Sequence, residues 1–336
     1  MSNSDRINYN GFTKEYVKQR LDVALYPKNA YMLPPVMTSD DARNIIMQNQ
    51  RTSAIFGSAG NPASFYYAGY KNTVDVFQWL KVQNLDSYEY QAGNGLTAGI
   101  ATLQKIGEKA AENNIALSLH APYYISITSD DDETIAKSIN HALKCVDGAN
   151  ALGAYIVVIH SGSLGKNTRA QALEKAESTI SRLLEILYKD NKTNVRIGLE
   201  TMGKQNQLGT LEEVIELCKI DSILYPVVDF GHLNSRGDRE KFKTGEDYLK
   251  VFDLIAQNLT DEKAKYLHCH FSKIEYTQKG EKKHLTFKDK TFGPEFEPLA
   301  EVLAKNKLYP NIICESAGTQ AEDAVKMKKM LDEVMQ

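Results

Sequence analysis

The sequence predicts a (β/α)8 barrel of the α/β class with an N-terminal extension, and three observations lead there. After residue 50, eight short apolar runs alternate with longer amphipathic ones, the order that builds a parallel sheet covered by helices. The chain has 336 residues, enough for one barrel of about 250 residues and an extension. Six of the eight runs end in, or lead directly into, His, Glu or Asp, and a barrel brings the C-terminal ends of its strands to one face.

Residues 1–50 form the expected extension, an N-terminal arm, and residues 51–336 the barrel domain. Pro27, Pro34 and Pro35 interrupt any regular pattern in the arm, while Ser39-Asp40-Asp41 can cap a short helix running toward Gln50. The strands are expected at Ser53–Ser58, Ser87–Gln91, Ile115–His120, Tyr155–His160, Arg196–Glu200, Tyr225–Asp229, Lys265–His270 and Asn311–Glu315, with helices between them. In the third helix Ile135, Ile139, Leu143 and Val146 recur on one face, and in the last Ala324, Met327, Leu331 and Val334 do the same. An open doubly wound sheet is the alternative. The count of eight and the position of the polar residues favour closure.

Composition narrows the function classes. Hydrophobic residues make up 42% and charged residues 25%, the ordinary globular range. The formal net charge of −3 offers no global attraction for nucleic acid or anionic membranes, so a polyanion would have to meet a local basic patch or a bound metal. Cys145, Cys218, Cys269 and Cys314 form no C-x-x-C pair, which argues against a zinc finger or thioredoxin motif and fits free thiols in a reducing cytoplasm. The N-terminus lacks a basic segment followed by an apolar run, and no segment approaches the ~20 apolar residues of a membrane helix.

The strand ends carry the chemistry. They read ALSLHAP, YIVVIHSGS, RIGLETM, PVVDFGH, YLHCHFS and NIICESA, and deliver His120, His160, Glu200, Asp229 with His232, His268 or His270, and Glu315 to one rim. Of the seven histidines only His141 falls inside a predicted helix. Imidazoles and carboxylates gathered without partners would be costly to desolvate, and the carboxylates would repel. A divalent cation resolves both problems. This ligand set suits zinc, with manganese or iron as alternatives.

At these residues the sequence resembles the endonuclease IV family of apurinic/apyrimidinic endonucleases, within a wider group of xylose-isomerase-like barrels. The resemblance covers about residues 53–336 and is carried by HAPYYISI at 120–127, IHSGSLG at 159–165, LETMGKQNQLGT at 199–210, VDFGH at 228–232 and CESAG at 314–318. It implies one metal site at His120, His160 and Glu200, a second at Glu200, Asp229, His268 and Glu315, and further ligands at His232 and His284. His268 is taken over His270 because Ser272-Lys273 closes a six-residue frame that begins at His268. The implied activity is hydrolysis of a DNA phosphodiester on the 5′ side of an abasic sugar. Two or three zinc ions would serve it, with Glu200 orienting a hydroxide held between two of them. Tyr123 matches a position that enters DNA.

Two departures from the family pattern stand out. The third site normally includes Asp-x-His, but here the text is Gly280-Glu281-Lys282-Lys283-His284, with Lys282 at the Asp position. The third ion would then be lost, weakened or held by Glu281, and Lys282 would instead offer its charge to a phosphate. The loop after strand two, Gln91–Leu96, contains neither Arg nor a large aromatic wedge. Lys273, Lys279, Lys282, Lys283, Lys288 and Lys290 cluster after strand seven, either as phosphate contacts or as a solvated loop. Two other functions fit the same residues. One is a metal-dependent sugar isomerase or epimerase that uses only Glu200, Asp229, His268 and Glu315. The other is a non-cleaving protein that binds damaged DNA.

Overall fold

A computed structural model describes residues 39–47, 49–236 and 241–336. The strands are β1 (Ile55–Ala59), β2 (Ser87–Gln91), β3 (Ala116–His120), β4 (Ile156–His160), β5 (Arg196–Glu200), β6 (Leu224–Asp229), β7 (His268–Phe271), β8 (Ile274–Thr277), β9 (Gly280–His284) and β10 (Asn311–Cys314). Eight of them form a closed parallel barrel, as expected, with β10 lying between β7 and β1. Strands β8 and β9 form an antiparallel hairpin outside it.

Period-two alternation sends one face of each strand outward to the helices and the other into the barrel. Outward residues such as Ile197, Leu199, Cys269 and Phe271 join the main core beneath the helix layer. Inside the barrel one wall is apolar, built from Ile156, Val158 and Val227. The opposite wall is polar and fully buried, with Ser87, Glu89, Ser118, His268 and Asn311. β1 and β2 approach so closely that a Cβ on Gly57 would lie 2.1 Å from the Ser87 carbonyl oxygen.

Several helices start where side chains satisfy their free N–H groups. Asp131 accepts from the Thr134 amide ahead of the helix Asp132–Leu152. Thr168 with Gln171 and Thr210 with Glu213 form capping boxes. Along the last helix, Gln320–Met335, Ala324, Met327 and Leu331 are buried as the spacing predicts, but Val334 is exposed.

The helix expected near Ser39–Gln50 spans Ser39–Met47. It lies against the N-terminal ends of the strands: Arg196 Nη2 donates to the Met47 carbonyl at 3.0 Å, and Ile46 and Met47 pack on the apolar wall. The rest of the expected arm, residues 1–38, lies outside the described residues. Two other expectations are corrected. The strand predicted from Lys265 begins at His268, because Thr260 accepts from the Lys263 amide and nucleates the short helix Asp261–Lys265. The segment after β7 is not helical at first. Gly280, with φ at +94°, turns the chain into the β8–β9 hairpin. All four cysteines are free and buried, with no disulfide between them. No helix among the described residues is long and apolar enough to cross a membrane.

Candidate metal centre

The C-terminal face holds a cleft of about 380 Å³ lined by His120, His160, Glu200, His232, Glu281, His284 and Glu315, with Tyr123 and Lys204 among its other walls. The side chains of the barrel rim arrive from different strand ends, whereas Glu281 and His284 both come from β9. His120, His160, Glu200 and Asp229 are the last residues of β3 to β6, and Glu315 follows β10. Asp229 also caps the six-residue helix Phe230–Ser235 by accepting from the His232 amide at 2.6 Å, and this places His232 one turn further on.

Glu200 sits at the centre, 1% exposed. Its Oε2 faces His120 Nε2 at 3.2 Å and His160 Nε2 at 3.3 Å. Its Oε1 faces His270 Nδ1 and His232 Nδ1, both at 3.2 Å. The two oxygens are thus divided between two groups. Glu200, Asp229, His270 and Glu315 form one set whose ligand atoms lie within 4.8 Å of one another, and His120, Glu200 and His270 form another.

The structure places His270, not His268, with Asp229 and Glu315. Strand register is the reason. His270 is level with Asp229 and Ile313, whereas His268 is level with Val227 and Asn311. Two residues lower is roughly 6.6 Å deeper in the barrel. There His268 meets Glu89 at 3.0 Å and the Tyr155 hydroxyl at 2.5 Å.

A third group lies beside these. His232, Glu281 and His284 bring their ligand atoms within the same distance of one another, and His232 Nε2 stands 3.5 Å from Glu281 Oε2. The residue that departs from the expected pattern, Lys282, does not line this cleft. It pairs with Glu275 on the outer side of the hairpin, and Lys283 reaches the same carboxylate at 3.2 Å. Lys273 is buried and held by Glu295 at 2.5 Å and by the Asp289 carbonyl at 2.9 Å, so it is spent within the protein. Tyr123 is 64% exposed on the rim, edge-on to Tyr124.

The donor chemistry fits metal ions. His120 Nδ1–H donates to the Ala121 carbonyl at 2.8 Å, which leaves Nε2 facing the Glu200 carboxylate. A neutral imidazole held this way meets the carboxylate lone pair to lone pair, and only a cation between them, or a second proton on the ring, reconciles the two. His232 Nδ1–H is likewise held by the Thr201 carbonyl at 3.0 Å, turning Nε2 toward Glu281. His284 Nδ1 meets the Ser272 hydroxyl at 2.8 Å. Asp229 Oδ2 is buried with no hydrogen-bond partner among the described residues, a costly state for a carboxylate oxygen unless a cation meets it.

Without such cations the site draws protons. Burial would lower the His120 pKa, but the hydrogen bond and charge of Glu200 outweigh it and hold it at about 9. His232 and His270 are raised as well, because the charges of Asp229 and Glu315, respectively, lead the attractions that overcome burial. Burial likewise opposes ionisation of Glu200, yet the charge on His270 and bonds from His120, His160 and His232 hold its carboxyl well below the usual range. Glu315 goes the other way, raised by its burial.

Two carboxylates of the site lie outside the sequence pattern of strand ends. Glu281 stands in the sequence only as a substitute for the missing Asp, and nothing in GEKKH signals the hairpin that turns it inward. Glu89 carries no strand-end signal. It sits in mid-strand β2 between two tyrosines and is fully buried.

Comparison with known proteins agrees with this architecture. The profile described as xylose isomerase-like TIM barrel matches residues 76–333. An uncharacterized protein of Methanocaldococcus jannaschii is 30% identical over 286 residues, covering 85% of this chain and all of that protein. A probable endonuclease 4 of Sulfurihydrogenibium sp. is 29% identical over 167 residues, covering 48% of this chain and 58% of the relative. Among solved structures, endonuclease IV of Thermus thermophilus superposes with a TM-score of 0.61 at 18% identity, over 83% of this chain and 99% of that one. A D-tagatose 3-epimerase-like protein superposes with 0.57 at 21% identity, over 84% and 97%. At these identities the structural likeness is one of fold.

Proposed function

Because this chain belongs to the xylose isomerase-like TIM barrel family, a fold in which the strand-end residues do the chemistry, we propose that it is a metal-dependent phosphodiesterase resembling endonuclease IV. The substrate is DNA, cut on the 5′ side of an abasic site. One observation carries this reading: Glu200 divides its two oxygens between a set containing His120 and His160 and a set containing His270. A sugar isomerase or epimerase needs only the strand-five to strand-eight set and leaves His120, His160 and the His232–Glu281–His284 group without a task.

The residues that would hold ions are His120, His160 and Glu200, then Glu200, Asp229, His270 and Glu315, then His232, Glu281 and His284. Imidazole and carboxylate donors favour zinc, with manganese or iron as alternatives. When bound, divalent ions supply Lewis-acid polarisation of a phosphate and a nucleophile from water at neutral pH. The chain does the rest. The Ala121 and Thr201 carbonyls fix which nitrogen of His120 and His232 carries the proton. Lys204 at the cleft wall supplies positive charge for a phosphate. Tyr123 presents an exposed ring for stacking against a base beside the missing one.

The loop after β2, with Gly93 in the cleft wall and no aromatic wedge, favours a second reading in which a small sugar occupies the cleft. Incubating the purified, zinc-supplied protein with a duplex that bears one abasic analogue separates the readings. Cleavage 5′ to the lesion with a free 3′-hydroxyl is expected. Binding without cleavage across several metals would make the protein a damage binder. One manganese per chain together with interconversion of ketohexoses would make it an epimerase.

A further inference from the structure

The polar wall inside the barrel has a focus below the cleft. Glu89 is fully buried, and both of its oxygens are taken. Oε1 accepts from Gln91 Nε2 at 3.0 Å, and His270 Nε2, 3.1 Å from it, is hydrogen-bonded to Oε2 at 3.3 Å. Oε2 accepts from the Ser118 hydroxyl at 2.9 Å and from His268 Nε2–H at 3.0 Å. A carboxylate offers about four lone-pair sites, so the acceptor capacity of Glu89 is filled by these four donors.

His268 is equally committed. Its Nδ1 accepts from the Tyr155 hydroxyl, whose oxygen accepts from Asn311 Nδ2 at 2.9 Å, and Asn311 Oδ1 accepts from the Ser87 hydroxyl at 2.7 Å. Donors and acceptors match along this chain when His268 is neutral, and no lone pair is left over for a cation. Glu89, His268 and His270 are close enough to enclose an ion, but the hydrogen-bond inventory has already filled the space.

His270 joins the two layers. Its Nε2 faces Glu89, while its Nδ1 faces Glu200 at 3.2 Å and Glu315 at 3.6 Å. We infer that Glu89 is a positioning residue: it holds the His270 proton on Nε2 and so presents Nδ1 as the nitrogen that binds metal with Glu200, Asp229 and Glu315. Ligand histidines commonly donate their other N–H to an outer partner, and a carboxylate partner also raises the basicity of the ring. His120 and His232 make this bond to backbone carbonyls. His270 makes it to a carboxylate, a stronger and charged acceptor. The inference rests on the metal-binding part of the proposed function.

Two measurements test it. The first compares zinc affinity, by chelator competition, for the wild type, Glu89→Gln and Ser118→Ala. Both variants remove a bond to Glu89 inside the same buried network, but only Glu89→Gln changes the carboxylate that faces His270 Nε2. Expected is about 10- to 100-fold weaker binding at one site for Glu89→Gln and unchanged binding for Ser118→Ala. Equal affinity in all three, or equal loss in both variants, would overturn the positioning role while leaving the proposed function standing. A wild type that takes up no divalent ion would remove both. The second measurement needs no variant and serves if Glu89→Gln fails to fold. In ¹⁵N-histidine protein loaded with ¹¹³Cd, the His270 coupling is expected at Nδ1, with the ring proton on Nε2. Coupling at Nε2, or a zinc-edge anomalous peak between Glu89 and His268, would make Glu89 a ligand and end the inference.

Discussion

Glu200 and Glu89 are both buried inside the barrel, each ringed by imidazoles, and they have opposite characters. Glu200, at the upper rim, faces four histidine nitrogens at 3.2–3.3 Å; one, His120 Nε2, belongs to a ring whose Nδ1–H is committed to a backbone carbonyl, and another, His232 Nδ1, shares its proton with the Thr201 carbonyl. Nearby, Asp229 Oδ2 has no hydrogen-bond partner among the described residues. Glu89, about one layer lower, accepts from four donors that fill its lone pairs. The upper site has more acceptors than protons, and the lower one balances them. Burial is therefore a poor guide to function here, and donor–acceptor balance a good one: an imbalance marks where a cation belongs, and a closed network marks the support that aims the ligands.

The strongest way to break this contrast is at Glu200. Glu200→Gln replaces one acceptor oxygen with a donor and weakens both sets that share the residue. Cleavage of abasic DNA is expected to fall by at least about 10³-fold, with circular dichroism unchanged. Near-normal rates would remove Glu200 from the centre of the mechanism.

A second test uses protons as probes of the imbalance. In the metal-free protein His120 holds a proton up to about pH 9, because the bond and charge of Glu200 outweigh burial. A metal ion must displace that proton. Apparent affinity should then rise with pH, by about tenfold per unit for this proton, and level off once the pH passes the raised pKa. Cobalt titrated against a chelator at pH 7, 8 and 9 reads the slope. An affinity that is flat over this window would mean that His120 stays out of the ligand set.

How much of this was legible in the sequence follows the same physics. Strand ends were readable because apolar runs that stop at His, Glu or Asp mark both the strand and its functional tip, as at His120, His160 and Glu200. The choice between His268 and His270 was not, since both project to the same side of one strand. What separates them is the stagger of β7 against β6 and β10, a property of barrel closure that six residues of local sequence do not encode. Glu89 escaped for a related reason. Ser87-Tyr-Glu-Tyr-Gln reads as an alternating strand with its polar face in water, and only closure turns that face inward. Glu281 depended on a hairpin whose Lys-rich second strand carries no hydrophobic signal.

The lower network should reveal itself in stability more than in metal binding. Tyr155→Phe leaves His268 Nδ1 and Asn311 Nδ2 without the hydroxyl that now joins them. Unpaired buried groups of this kind cost about 1–3 kcal/mol, so the urea midpoint should drop while zinc stoichiometry holds. A Tyr155→Phe protein as stable as the wild type would show that the chain of bonds below Glu89 is slack, and the contrast between the two carboxylates would lose one side.

The smallest effect is expected at Lys282, the residue that departs most visibly from the endonuclease IV pattern. Its ammonium pairs with Glu275 on the outer face of the hairpin, and Lys283 competes for the same carboxylate. An exposed, already paired lysine adds little to phosphate binding. Lys282→Ala should therefore change the Kd for abasic duplex by less than about twofold, and the dependence of binding on salt should be unaltered. Lys204→Ala, at the cleft wall, should weaken binding more and flatten that salt dependence. Should the two variants trade places, the hairpin turns toward DNA, and Glu281 would then have to leave the group it shares with His232 and His284.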